Sequence, residues 1–204
     1  VLEHGGTIDK FVGDAVVAFW GAPISRPDDG ERAARAALAM YQAGEEFRKS
    51  VPDGVPAIGK TRVGLHHGEA IVGNFGGEGR IQYTALGDSM NTASRLESAN
   101  KQLKSNILVS REAAELSGLD WFRHLGRVVL RGRAKPVEVL EPAPDTPPEL
   151  LKAFNQLARQ AISGDVSAIT ALAEQSTKNP NDEALANFVF RLAHQEEGGY
   201  FVLD

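Results

Sequence analysis

The sequence predicts an α+β fold, in which short strands joined by tight turns share one core with amphipathic helices. Two strand-prone runs, residues 7–12 and 15–20, flank a Gly-Asp pair, and Gly-Asp between apolar runs is typical of a hairpin turn. Residues 29–49 carry small and apolar side chains at helical spacing, which predicts a helix with one buried face. A third strand-prone run, residues 80–86, lies between two glycines and leads directly into a second helical pattern.

Both helical patterns begin beside side chains that can cap them. A short oxygen-bearing side chain accepts hydrogen bonds from the free N–H groups of a first helical turn, so Asp28 or Asp29 is the predicted N-cap of the first helix. Asp88 or Ser89 is the predicted N-cap of the second. The predicted buried stripe of the first helix consists of Ala33, Ala37, Met40, Tyr41, Gly44 and Phe47.

The middle of the chain continues the mixed pattern. The further predicted elements are strands at residues 61–65, 70–72, 106–110, 122–131 and 136–140 and a short helix at 111–116. His66 and His67 are neighbours in an extended segment and point to opposite faces, which makes them a poor metal-chelating pair. Residues 73–79 are rich in glycine and predict a mobile loop, but no Lys-Ser or Lys-Thr pair follows to make it a phosphate-binding loop.

Composition excludes several classes of protein. The 204 residues contain no cysteine, which excludes disulfides and cysteine-ligated metals and favours the cytoplasm as the compartment. The net charge is −5 with Lys and Arg dispersed, which argues against a nucleic acid polymer as partner. No apolar run approaches the roughly 20 residues that span a bilayer, so we expect no membrane contact by this segment, whereas tethering of a parent protein stays open. The abrupt structured start predicts a piece of a longer protein.

A proline-rich stretch divides the chain. Residues 142–148 read PAPDTPP, which predicts a stiff linker between a first domain, residues 1–141, and a tail, residues 149–204. The tail contains helical patterns at residues 149–163, 166–178 and 182–194, whose spacing resembles a degenerate tetratricopeptide unit. A tail with one or two repeats cannot bury its own apolar faces. We therefore expect it to dock on the first domain or on a protein partner.

The second predicted helix carries the most suggestive pair of polar side chains. Asn91 and Arg95 are four residues apart and therefore project from one face of a helix, where an amide and a guanidinium make a credible reader of phosphate. An ordinary solvated surface arginine is the alternative. Asp14 at the predicted hairpin tip and Lys10 in the preceding strand also have ordinary explanations, as a turn residue and a solvated strand lysine.

Three stretches resemble one known family, in the same order along the chain. They read GGTIDKFVGDAVVAFWGAP, RVGLHHGEAIVGNFG and QYTALGDSMNTASRLE, and all three resemble the catalytic domain of class III nucleotide cyclases, with bacterial adenylate cyclases as the nearest type. Three ordered matches are far more specific than any single short motif. The resemblance covers residues 1–141 and implies a ferredoxin-like, palm-type sheet rich in antiparallel pairs, with helices on one face.

The resemblance also implies roles for six residues. In that family Asp14 corresponds to one of two carboxylates that hold a pair of Mg²⁺ or Mn²⁺ ions, and such hard cations demand oxygen ligands. The resemblance implies that Lys10 and Thr84 recognise the adenine base and that Asn91 orients the ribose. It also implies that Arg95 stabilises charge on the α-phosphate and that Arg133 binds the polyphosphate. A hairpin tip that is basic only for solubility is the alternative for Arg133.

The implied reaction converts ATP to 3′,5′-cyclic AMP and pyrophosphate across a homodimer. ATP is favoured because Lys10 and Thr84 form the bacterial adenylate cyclase pattern, whereas guanylate cyclases usually carry an acidic residue at the lysine position. The family's other metal aspartate, in a D-x-x-G-F-T/S pattern, has no counterpart in these residues. We therefore expect this chain to be inactive although its parent is a cyclase. The alternatives are a non-catalytic nucleotide-binding or dimerisation module, a guanylate cyclase, and an interaction protein that acts through its tail.

Overall fold

A computed structural model describes residues 1–203 and shows strands interspersed with helices along the chain. Within these residues the strands are β1 (Thr7–Val12), β2 (Ala15–Phe19), β3 (Val63–Leu65), β4 (Ile71–Gly77), β5 (Arg80–Leu86), β6 (Ile107–Ser110), β7 (Phe122–Val129), β8 (Pro136–Pro142) and β9 (Phe201–Val202). The α-helices are α1 (Asp29–Ser50), α2 (Asp88–Leu103), α3 (Arg111–Ser117), α4 (Pro148–Ile162), α5 (Val166–Lys178) and α6 (Glu183–Ala193). The predicted α+β class is confirmed. No helix among the described residues combines the length and the apolarity needed to cross a membrane.

The main sheet has five strands in the order β3-β6-β8-β7-β9. β6 pairs with β8 and β8 with β7 in antiparallel fashion, whereas the two outer pairs, β3 with β6 and β7 with β9, are parallel. β9 belongs to the C-terminal tail and completes the edge next to β7. The sequence did not predict it, because two residues carry no detectable periodicity.

Two hairpins stand beside this sheet. β1 pairs with β2 around the predicted Gly-Asp turn, and β4 pairs with β5 from Ile71 opposite Leu86 to Gly77 opposite Arg80. The prediction of a mobile loop over residues 73–79 is therefore wrong for most of that segment, and only its last residues form the turn. The reason is that β5 supplies hydrogen-bond partners along the whole length of β4, which offsets the low strand propensity of glycine.

Helix α1 forms as predicted but buries only its first half. Ala33 and Ala37 are buried, whereas Phe47, predicted to lie on the same stripe, is 62% exposed. The second half of α1 lies beside the loop that precedes β3, where Glu45 accepts a hydrogen bond from the Thr61 N–H at 3.4 Å. Asp28 occupies the N-cap position without a capping hydrogen bond, and its carboxylate lies 3.1 Å from the Arg32 Nε instead.

Helix α2 packs closely on β3. A Cβ atom built on Gly64 would lie 2.2 Å from the Ala93 carbonyl oxygen and 2.3 Å from the Glu97 amide nitrogen, so only glycine permits this approach. The buried side chain of Asn100 in α2 donates to the Val63 carbonyl at 2.9 Å, which ties the end of the helix to the start of β3. These contacts fix the helix that carries Asn91 and Arg95.

The tail docks on the first domain. Its helices share one apolar core with the sheet and α2, built from Leu96, Leu103, Leu125, Val128, Val139, Phe154, Ala158, Leu172, Leu185 and Phe188. The linker is short in the structure, because β8 continues to Pro142 and α4 begins at Pro148. Arg191 in α6 is buried and donates to the Leu125 carbonyl at 2.7 Å. The likeness to a tetratricopeptide unit stays a prediction.

Candidate active site

Strands β1 and β5 meet at a buried carboxylate, that of Asp9. Its Oδ1 accepts a hydrogen bond from the Thr84 hydroxyl at 2.6 Å, and its Oδ2 accepts a longer one from the Ala85 N–H at 3.4 Å. The Lys10 Nζ lies 3.9 Å from the same Oδ1, with two fifths of its side chain exposed. Asp9 thus brings together the two residues predicted to read the base.

Local backbone irregularity explains why Asp9 faces β5. The register between β1 and β2 shifts between Ile8 and Lys10, so that Asp9 lies at a bulge in β1. A bulge adds a residue to one strand and redirects its side chain. The neighbouring contact between the rings of Phe19 and Tyr83, 6.1 Å between centroids, holds the β1–β2 hairpin against β5.

The first turns of α2 carry the second group of predicted residues. Asn91 is exposed and Arg95 is partly buried. A Cβ atom built on Gly132, in the loop between β7 and β8, would lie 3.6 Å from the Arg95 Nη2. Among residues 1–203 no carboxylate lies within ion-pair distance of Arg95 and no hydrogen bond engages its side chain, although its charge acts on nearby Asp88, so the guanidinium is available to a ligand.

Arg133 meets the start of the same helix. Its Nη1 donates to both carboxylate oxygens of Asp88, the first residue of α2. This hydrogen bond lowers the pKa of the Asp88 carboxyl, and the charges of Arg133 and Arg95 lower it further. The prediction that Asp88 or Ser89 caps the helix is wrong: Gly87 occupies the N-cap position without a side-chain cap, because Asp88 is engaged by Arg133 and the Ser89 hydroxyl donates to the Glu69 carbonyl at 2.7 Å.

Asp14 occupies the exposed turn between β1 and β2, as predicted. Within the described part of the chain, residues 1–203, no group of three or more His, Cys, Asp or Glu side chains converges to hold a metal ion. A divalent cation such as Mg²⁺ needs several oxygen ligands. One exposed carboxylate does not supply them, so the residues present do not form a two-cation site within one chain.

The histidine pair is split between two environments. The His66 Nδ1 lies 2.8 Å from the Ser110 hydroxyl, which ties the end of β3 to the end of β6. Burial lowers the pKa of the His66 imidazole, and the nearby charge of Glu112 opposes this with a smaller effect. His67 is exposed. The two side chains therefore lie in different surroundings, one tied to β6 and the other facing solvent.

Two residues with clear contacts to the site were missed from the sequence, Asp9 and Asp88. An acidic side chain in the middle of an apolar strand is a signal that could have identified Asp9, because a buried carboxylate requires hydrogen-bond partners. From the sequence, Asp88 is only a predicted helix cap.

A surface depression between α4, α6 and the turn before β9 contains none of the six predicted residues and is lined in part by Arg127, Ser163 and Gln195.

Comparisons with known proteins identify the family of the first domain. Residues 5–140 match the profile of the family described as the adenylate and guanylate cyclase catalytic domain. Adenylate cyclase 1 of Rhizobium meliloti (strain 1021) is 40% identical over 143 residues, which cover 69% of this chain and 21% of that protein. The adenylate cyclase of Anabaena cylindrica is 37% identical over 115 residues, or 53% of this chain and 21% of that protein. The chain thus spans about a fifth of the length of these relatives.

Solved structures of both kinds of cyclase resemble the fold. The adenylyl cyclase CyaB from P. aeruginosa superposes with a TM-score of 0.59 at 34% identity, covering 72% of this chain and 77% of that one. The guanylyl cyclase Cya2 superposes with a TM-score of 0.58 at 31% identity, covering 69% and 71%. Because the family profile matches well over half of the 204 residues, this chain belongs to the adenylate and guanylate cyclase catalytic domain family.

Proposed function

We propose that this chain is the catalytic domain of an adenylate cyclase. The reaction converts ATP to 3′,5′-cyclic AMP and pyrophosphate, by in-line attack of the ribose 3′-oxygen on the α-phosphorus. The observation that carries the proposal is that Arg95 and Arg133 both act on the exposed Asp88 carboxylate at the start of α2, where Arg133 binds it and Arg95 forms no ion pair within residues 1–203. Such an arrangement is suited to a polyanion.

Each side chain in this cluster has a distinct part in the proposal. Arg95 stabilises the negative charge that develops on the α-phosphate in the transition state, and Arg133 holds the terminal phosphates. Asn91, one helical turn before Arg95 and exposed, orients the ribose. The phosphates must replace the Asp88 carboxylate on Arg133, and the guanidinium stays charged throughout.

The base-reading side of the proposal rests on Lys10 and Thr84. Both contact Asp9, so one base edge can meet the Lys10 ammonium group and the Thr84 hydroxyl together. A lysine at the first of these positions supports ATP over GTP, because guanylate cyclases usually have an acidic residue there. A guanylate cyclase is the second candidate, and the likeness to the guanylyl cyclase Cya2 favours it.

We propose that the reaction uses Mg²⁺ or Mn²⁺ and that Asp14 contributes one carboxylate to the metal. The second carboxylate is not among the residues that surround Asp14, so the chain alone turns over little ATP and the activity belongs to its parent. A non-catalytic nucleotide-binding module is the alternative that the lone carboxylate favours.

We also propose that the site is completed by a second copy of the domain, with Asp14 from one copy opposite Asn91 and Arg95 of the other. Support comes from apolar side chains that both hairpins expose, namely Phe11, Val12, Val16, Ile71, Ile81 and Leu86. A monomer rarely leaves so many apolar side chains exposed on adjoining hairpins unless another surface covers them. The tail is less suited to bind a separate partner, because its largest apolar face lies in the shared core.

The test is the Arg95→Ala substitution in the parent protein, assayed for cyclic AMP with Mg²⁺ or Mn²⁺. Loss of a group that acts mainly on the transition state is expected to lower kcat by about 10²–10³, with a much smaller change in KM. The matched control is Arg62→Ala, because Arg62 is an exposed arginine that pairs with Glu97 on α2, away from the Arg133 loop. A rise in KM alone would contradict the role of Arg95, and vigorous cyclic AMP formation by the 204 residues would contradict their inactivity.

A further inference from the structure

We propose that Asp9 is a specificity-determining positioning residue, which selects ATP by fixing the direction of the hydrogen bond made by Thr84. The inference rests on the proposed function, since it requires Thr84 to contact the base. Asp9 does not itself touch the nucleotide in this proposal. It acts through the Thr84 hydroxyl, with which it forms a buried hydrogen bond of 2.6 Å between Oδ1 and Oγ1.

The polarity of this bond follows from the chemistry of the two groups. A carboxylate accepts hydrogen bonds and has no proton to donate, so the Thr84 hydroxyl must donate to Asp9. A hydroxyl has one proton, so Thr84 is left with lone pairs only. The Asp9 side chain is fully shielded from solvent, and water therefore cannot take its place as the acceptor. Any further partner of Thr84 must be a donor.

Adenine and guanine differ in this respect. The 6-amino group of adenine donates, whereas the 6-oxo group of guanine accepts. An adenine edge can therefore donate its amino proton to Thr84 while its N1 accepts from the Lys10 ammonium group. A 6-oxopurine brings an acceptor against the Thr84 oxygen, and two acceptors that face each other in a partly desolvated site are unfavourable.

The surroundings of Asp9 also determine what an isosteric substitution does. The backbone N–H of Ala85 points at the second carboxylate oxygen, 3.4 Å from Oδ2. In Asp9→Asn the amide oxygen is expected to keep this bond, because a backbone N–H can only donate. The amide NH₂ group then faces Thr84 and donates to it. The Thr84 hydroxyl is released to donate outward, which suits a 6-oxopurine.

The experiment measures binding and does not depend on turnover. The dissociation constants of ATP and inosine triphosphate are determined for the 204-residue chain by competition with a fluorescent ATP analogue. Inosine differs from adenosine only in carrying a 6-oxo group and an N1–H, so the ratio of the two constants reports hydrogen-bond polarity without the 2-amino group of guanine. Asp9→Asn is expected to reduce the preference for ATP by about tenfold or more.

Substitutions at Thr84 are the controls. Thr84→Ser keeps the hydroxyl and is expected to retain the preference, whereas Thr84→Val removes the hydroxyl and is expected to lose it. In the Thr84→Val background Asp9→Asn should have no further effect on the ratio. The Thr84 pair also keeps the proposal testable if Asp9→Asn does not fold, because loss of preference in Thr84→Ser or its retention in Thr84→Val overturns it.

The outcomes separate this inference from the proposed function. A chain that prefers ATP and keeps its ratio in Asp9→Asn overturns the role of Asp9 alone. Equal affinity of the unsubstituted chain for the two nucleotides also overturns it and leaves nucleotide binding intact. A chain that binds neither nucleotide overturns the proposed function, and the role of Asp9 with it.

Discussion

At the scale of single residues, Arg123 on β7 joins the sheet to the tail. Its Nε donates to the Glu141 Oε1 at 2.8 Å, and its Nη2 donates to the Asp182 Oδ1 at 2.9 Å. The same Asp182 oxygen caps α6 by accepting from the Leu185 N–H at 3.0 Å. A change at Asp182 therefore affects an ion pair and a helix cap together, and two substitutions can separate them.

Asp182→Asn keeps a capping oxygen but removes the charge that faces Arg123. We expect it to lower the free energy of unfolding by about 1–3 kcal/mol, the usual worth of a hydrogen bond to a charged group. Asp182→Ala also removes the cap and is expected to cost about 1 kcal/mol more. Urea denaturation of both variants measures the difference. Equal stability of the two variants would mean that the cap contributes nothing.

The contribution of Asp182 should also depend on pH. Burial opposes its ionisation, but hydrogen bonds from Arg123 and from the Leu185 N–H outweigh burial and lower the pKa of the carboxyl. A lowered pKa means that the unfolded chain takes up this proton at a higher pH than the folded chain does. The stabilisation is thus complete above the ordinary pKa of aspartate and is lost as the pH falls through the lowered value.

The measurement compares the unsubstituted chain with Asp182→Asn from pH 7 to pH 3. The difference between their unfolding free energies should shrink as the pH falls, because Asp182 becomes neutral in both states. The pKa of Glu141 is raised by burial, against the opposing effect of Arg123, so its own contribution has the opposite sign. The comparison removes the part of that contribution that comes from burial and Arg123, since both proteins carry Glu141, whereas the part in which the Asp182 charge raises the Glu141 pKa is lost in Asp182→Asn. A difference independent of pH would contradict the account.

At the scale of elements, the sequence predicted most strands and helices, and it predicted β1, β5 and α5 with their observed ends. The β1–β2 hairpin was predictable because a Gly-Asp turn between apolar runs is a local signal. The β4–β5 hairpin was predicted only in part, because pairing with a distant residue decides whether a glycine-rich segment is extended. The N-cap position of α1 was predicted correctly at Asp28, but Arg32 engages its carboxylate and no capping hydrogen bond forms. The N-cap of α2 was mispredicted, because Gly87 occupies that position and Arg133 engages Asp88.

The contact between α2 and β3 gives a prediction at this scale. Gly64→Ala places a methyl group against the backbone of α2, which cannot move as a flexible side chain can. We expect a loss of about 1–3 kcal/mol of stability, as for overpacking of a filled core. Gly59→Ala is the matched control, because a Cβ atom at Gly59 meets nothing within 4 Å. It should change stability by no more than about 0.5 kcal/mol.

Thermal or urea unfolding of both glycine variants measures the effect. Nucleotide affinity is a useful second measurement, because a displaced α2 also displaces Asn91 and Arg95. A Gly64→Ala variant as stable as Gly59→Ala would show that α2 can shift without cost.

At the scale of the whole molecule, the tail and the first domain share one core. Leu172 in α5 is fully buried in the cluster that also contains Val128 and Leu96. Leu172→Ala is therefore expected to destabilise the entire chain by about 2–5 kcal/mol. Val166→Ala, at a side chain 74% exposed in the same helix, is the control and should be nearly neutral.

Two signals can test whether the chain unfolds as one unit. The only tryptophans of the sequence, Trp20 and Trp121, lie outside the tail, so their fluorescence reports on the first domain. Circular dichroism reports on all helices, including those of the tail. Both transitions should shift together in Leu172→Ala. A shift of the dichroism signal alone would indicate that the tail unfolds independently.

The sequence by itself determined the family, the α+β class, the hairpin that carries Asp14 and the helix that carries Asn91 and Arg95. These features are encoded in short runs of neighbouring residues, where turn chemistry and periodicity act locally. Only the tertiary structure decided that Asp9 joins Lys10 to Thr84, that Asp88 engages Arg133 and that the tail completes the core. Each of these contacts joins residues more than 40 positions apart or depends on a bulge, and no local pattern specifies which distant partner a side chain meets.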